Sequence, residues 1–84
     1  MPDDTKRAAR IEKDIAMFYA NLAKMGRIEG EANAAKVVEL SEMYARDAES
    51  YLKKGDLFTS FSCISYAHGL LDAIIKLSGG GYVR

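Results

Sequence analysis

The sequence predicts an all-α fold, a three-helix antiparallel bundle running up, down and up. Three observations carry this. Apolar residues recur at helical spacing through three stretches, with no strand-like alternation to compete. The chain punctuates itself at two places, "KMGRIEGE" with Gly26 and Gly30, and "LKKGDLF" with Gly55 before Asp56. Each pairs a glycine suited to ending a helix with an acid suited to starting the next. The stretches between them, about 4–25, 31–54 and 56–78, are matched at about 22 residues, or roughly 33 Å of helix. Matched lengths and short connections favour antiparallel neighbours. Residues 1–78 thus read as one helical domain, and "GGGYVR" at 79–84 as a flexible tail.

The first helix places Ala8, Ile11, Ile15, Phe18, Leu22 and Met25 along a narrow apolar seam, widened by Tyr19 and Ala23. Asp3 and Asp4 stand where a cap and the helix dipole favour carboxylates. The second helix is expected to bury Ala34, Val37, Val38, Leu40, Tyr44, Ala45, Ala48, Tyr51 and Leu52, and it ends on Lys53 and Lys54, where positive charge is favoured. The third is the most apolar. Leu57, Phe61, Cys63, Ile64, Ala67, Leu70, Leu71, Ile74, Ile75 and Leu77 sweep an arc of about 200° at roughly 100° per residue. Packing on one neighbour needs about half of that. Either this helix touches both others, the simpler explanation, or it also serves an outside partner. Gly69 weakens the helix interior unless another backbone approaches closely.

Composition removes several function classes. Half of the 84 residues are hydrophobic (49%), and 12 basic residues cancel 12 acidic ones, so no overall field draws the chain to nucleic acid or anionic lipid. Cys63 is the single cysteine, which forbids an internal disulfide and fits a reducing, cytoplasmic home. The N-terminal "MPDDTKRAAR" has no apolar signal core, and no apolar run approaches the roughly 18 residues of a membrane span.

Ser65, His68 and Asp72 share one helix face and have the residue types of a catalytic triad. Side chains on one straight helix project almost in parallel, however, whereas a triad must converge on a substrate beside an oxyanion hole. The expectation is no enzymatic activity and no catalytic residue. His68 is read as a structural residue hydrogen-bonded to Asp72, with Ser41 as another possible partner. One histidine and one cysteine, pointing about 140° apart on a helix, make no closed zinc site. No metal or other cofactor is expected, and Cys63 in the apolar arc reads as inert. Asp47 lies between Tyr44 and Tyr51 at the margin of the core. Together with Tyr66, His68 and Asp72, Tyr44 and Asp47 form a candidate ligand site, a polar pocket between the second and third helices. Lys6, Arg10 and Lys13 fall near one face, interleaved with Glu12 and Asp14, and read as a solvated surface rather than a phosphate site.

The stretch "YARDAESYLKKGDLFTSFSCISYAHGLLDAIIKL" resembles the short archaeal helical proteins of domain of unknown function family 357. The matching positions are Tyr44, Asp47, Ala48, Gly55, Asp56, Ile64, Ser65, Tyr66, Ala67, Gly69, Leu71, Asp72 and Ala73, with Ser60 standing where the family has alanine. The resemblance implies a cytoplasmic three-helix protein and brings no assigned activity. Some relatives look like appendages of nucleotidyltransferase-type enzymes, which implies an assembly or regulatory partner of that class. The segment also looks a little like helical HEPN nucleases, but the arginine expected shortly before His68 is missing, which disfavours RNase activity.

Two function classes follow. The first is a non-enzymatic protein-interaction module, a homo-oligomer or a subunit docked on a larger enzyme, with no nucleic-acid or membrane partner. It is motivated by the wide apolar arc and by Met17 and Phe58 lying off the main faces. The second is a small-ligand or nucleotide-binding regulatory domain using Tyr44, Asp47, Tyr66, His68 and Asp72.

Overall fold

The computed structural model describes residues 2–25 and 32–77, and for Pro2, Asp3 and Ala32 the backbone alone. It contains three α-helices, α1 (Pro2–Met25), α2 (Ala32–Lys54) and α3 (Leu57–Leu77), with no strand among the described residues. All three pack on one another: α3 lies most extensively on α2, less on α1, and the α1–α2 contact is the lightest. Residues near 48 of α2 meet those near 60 of α3, and residues near 44 meet those near 66, so these two helices run antiparallel. Ile11 lies by Phe61, and Asp14 by His68, so α1 runs parallel to α3, as an up-down-up bundle requires. The Gly26–Gly30 break and the tail at 79–84 lie outside the described residues, as does any capping by the Asp3 side chain.

The α2–α3 turn follows from two residues. Gly55 adopts φ of 82°, the left-handed conformation that only glycine enters without strain. Its amide bonds to the Leu52 carbonyl at 3.1 Å, and the Asp56 amide bonds to the Tyr51 carbonyl at 3.0 Å, the pair of bonds that closes a Schellman motif. Asp56 then caps α3. Its Oδ1 accepts the Thr59 amide at 3.1 Å, and its carbonyl accepts the first intrahelical bond from Ser60. Those bonds to Thr59 favour the charged form and hold the Asp56 carboxyl below its ordinary range.

The buried apolar core consists of Ile11, Ile15 and Phe18 from α1, Val38, Ala45 and Ala48 from α2, and Ile64, Ala67, Leu71, Ile74 and Ile75 from α3. The arc of α3 serves both neighbours, which is why that helix is the most apolar. Its edges differ from the expectation, though. Phe61 and Leu77, expected in the core, are 49% and 84% exposed. Leu40 and Ala23 are also exposed. The seam between α2 and α3 is occupied instead by small residues, and two of them are polar: Ser41, Ala45 and Ala48 face Ser60 and Ala67, and all five are completely buried. Ser60 Oγ donates to the Ala48 carbonyl across the seam at 2.6 Å, and Ser41 Oγ donates to Val38 in its own helix at 2.6 Å. Each hydroxyl can occupy the dry interface because it is hydrogen-bonded there.

Candidate functional site

His68 is held by α1. Its Nε2 lies 2.8 Å from the main-chain oxygen of Asp14, 54 residues away in sequence. A carbonyl oxygen only accepts, so Nε2 carries a proton and donates. The ring also meets Phe18 edge to face, with centroids 5.8 Å apart. The expected partners, Asp72 and Ser41, are thus replaced by a backbone group on the neighbouring helix. Asp72 stands one helix turn after His68, but the hydrogen bond of the ring goes to the α1 carbonyl. With Nε2 engaged by α1, the imidazole is a structural tie and does not address Ser65, which is exposed.

Three of the remaining sequence-derived site residues, Tyr44, Asp47 and Tyr66, lie on the α2 side of α3. Tyr66 stands two positions before His68, about 200° around the helix, and so faces α2. There it meets Tyr44 edge to face with centroids 4.7 Å apart. Asp47 is exposed on the same seam, close enough to Cys63 to act on its thiol. Burial, followed by the charges of Asp47 and Asp56, pushes the Cys63 thiol up, away from the reactive thiolate. The structure therefore brings Tyr44, Asp47 and Tyr66 to one seam. It places His68 on the opposite seam and leaves Asp72 half-buried one turn beyond it. On the α1–α2 side, Tyr19 Oη donates to Glu49 Oε1 at 3.0 Å. Gly69 is not approached by another backbone: a Cβ built there meets nothing within 4 Å.

A concave surface lies between α1 and α3, near the start of both helices. Arg7, Arg10, Ile11, Leu57, Phe58 and Phe61 line a groove of about 300 Å³. Ile11 closes its floor, and the two phenylalanine rings form one wall. Phe58 is 82% exposed, so most of its ring faces water. Neither Arg7 nor Arg10 forms an ion pair with another described residue. Met17, two turns after Arg10 on the same side of α1, is also exposed. Sequence reasoning flagged Met17 and Phe58 but grouped Arg10 with Lys6 and Lys13. The signal it lacked was the parallel register of α1 and α3, which places Arg7 and Arg10 beside Phe58 and Phe61. No three of the described histidine, cysteine and acidic residues cluster closely enough to share a metal ion. None of the described helices is long and apolar enough to cross a membrane.

The model of a family described as protein of unknown function (DUF357) matches residues 13–79. No curated protein matches the chain. The chain belongs to this family, and the matched span contains all of α2, all of α3 and the second half of α1.

Proposed function

We propose that this protein is a non-enzymatic helical interaction module that receives its partner on the groove between α1 and α3. The observation that carries the reading is the exposure of Phe58 and Phe61 side by side on a groove with an apolar floor. Leaving two aromatic rings in water contributes nothing to the monomer, whereas aromatic side chains are enriched where interfaces gain their energy. The reading covers a second copy of the chain as well as another protein, including a larger enzyme to which this chain is a subunit. A ligand site on the α2–α3 side is the second reading. It rests on the Tyr44–Tyr66 pair with Asp47 beside it, because His68 is engaged by α1.

Site-specific photo-crosslinking in the native cell tests the first reading. A benzophenone side chain at position 58 should give a discrete adduct, and one at the exposed Glu39 of α2 should not. The mass of the adduct separates a second copy from another protein. Equal cross-linking at both positions, or none at 58, would remove the support for a docking groove.

A further inference from the structure

The interaction reading leaves the chemistry of the partner open, and the groove itself narrows it. We infer that the occupant is an acidic amphipathic helix of another protein. Its apolar side chains would fill the Ile11–Leu57–Phe58–Phe61 surface while its carboxylates meet Arg7 and Arg10. This inference rests on the interaction reading and adds the partner's charge and shape.

Three features of the groove carry it. First, the apolar part and the charged part are contiguous. The groove is walled by two rings and closed by Ile11, and its α1 rim consists of two guanidinium groups three residues apart on one helix. Guanidinium is weakly hydrated and forks toward carboxylates, so an arginine rim beside an apolar floor suits an apolar segment flanked by acids. Second, both guanidiniums lack a carboxylate among the described residues, although the chain has as many acids as bases. Three carboxylates are directed elsewhere: Asp56 caps α3, Glu49 accepts from Tyr19, and Glu12 lies on the α2 side of α1; Asp14, one turn after Arg10, forms no ion pair with it. Third, the groove is bounded by two parallel helices, and a third helix laid between them extends the bundle by the packing it already uses.

A second copy of this chain fits the same groove poorly. In a two-fold arrangement with antiparallel grooves, the Arg7–Arg10 rim would face the distal end of its mate. Among the described residues, that end offers Lys24 and Lys76, both exposed, against a half-buried Asp72. A parallel arrangement would oppose arginine to arginine. Among the described residues, both arrangements bring the rim to positive charge, and like charges brought together at an interface oppose association.

The test titrates the full-length, isotope-labelled chain with two synthetic peptides of about 16 residues. Both carry leucines at helical i, i+3 or i+4, and i+7 spacing; one is flanked by glutamates and the other by lysines. The glutamate peptide should shift the amide signals around Arg7, Arg10, Phe58 and Phe61. The lysine peptide should bind at least about tenfold more weakly, and added salt should narrow the gap. R7E combined with R10E should reverse the preference. F58S should abolish binding while leaving the far-ultraviolet circular dichroism unchanged, because Phe58 is largely exposed. Equal binding of both peptides at Phe58 and Phe61 would overturn the acidic partner and leave the interaction reading standing. If neither peptide moves those signals at millimolar concentration, both readings fall. A single-stranded oligonucleotide that binds the same residues more tightly than the glutamate peptide would overturn the inference in favour of a nucleic-acid surface.

Discussion

Replacing His68 separates two contributions that the structure places on one ring. His68→Met keeps a side chain of similar reach but removes the donor to the Asp14 carbonyl and the edge-to-face contact with Phe18. A hydrogen bond of this kind contributes about 1 kcal/mol net, and an aromatic edge contact adds about 1 kcal/mol beyond its area. Methionine restores part of the apolar burial, so the net loss should be about 2 kcal/mol. His68→Gln places an amide donor near the Nε2 position and gives up only the ring contact, so it should lose about 1 kcal/mol. At roughly 0.1 kcal/mol per residue, the whole domain is stabilised by about 8 kcal/mol, of which the methionine variant loses about a quarter. Its thermal midpoint should fall by about 10 °C. Urea unfolding followed at 222 nm, at a pH where an imidazole is neutral, gives both differences from one series. If methionine and glutamine variants unfold together within about 0.3 kcal/mol, the bond to Asp14 contributes nothing. If both match the parent chain, the assignment of His68 as the tie between α1 and α3 is wrong.

Three other outcomes follow from the geometry. Ser60→Ala should cost about 1 kcal/mol for the bond to Ala48, and Ser60→Leu about 3 kcal/mol, because the α2–α3 seam has no room for three more carbons; equal stability of the two in urea would mean the seam is loose. Burial first, and then the bond to Glu49, raises the Tyr19 hydroxyl above its ordinary 10.0. A raised folded value stabilises below the ordinary value and is lost as pH climbs through the folded one, so stability should fall above about pH 10, and Glu49→Gln should shrink that fall; phenolate absorbance tracks it. Asp56 has the opposite sign. Its folded value lies below 3.8, so its contribution is complete above that pH and disappears as pH drops below it. Asp56→Ala should abolish this acid-side dependence and lower the denaturation midpoint, whereas Asp56→Asn should keep most of the cap; an unchanged midpoint in the alanine variant would mean α3 starts without it.

Much of the fold could be read locally. Gly55 followed by Asp56 fixes the α2–α3 turn through a left-handed glycine and a capping carboxylate, and both act within a few residues. The inward faces of α1 and α3 follow from apolar spacing, because a helix places its residues at fixed angles. Ile11, Ile15, Phe18, Ile64 and Leu71 are buried as that spacing requires. Cys63 also behaves as its place in the apolar arc suggests, with its thiol pushed up by burial.

The candidate site was less legible, for a physical reason. Periodicity assigns angles around one helix but says nothing about which neighbour stands at each angle. Tyr66 and His68 are expected in one polar pocket between the second and third helices, yet 200° of rotation sends one to α2 and the other to α1. His68 took a backbone carbonyl of α1 over Asp72 because inter-helix register brought that carbonyl within 2.8 Å. Ser41 is expected as a possible partner of His68, and Ser60 stands where the family has alanine; close packing of α2 on α3 favours small side chains, and each hydroxyl finds a carbonyl instead. Phe61 counted as core by its hydropathy, and the parallel register of α1 leaves it on the rim of a groove. By itself, then, the sequence determined the three helices, their turn and cap, and the core stripes, because those depend on bonds and angles within a few residues. Only the tertiary structure decided the partner of His68, the polar seam and the arginine–phenylalanine groove, because each depends on how far one helix slides along another.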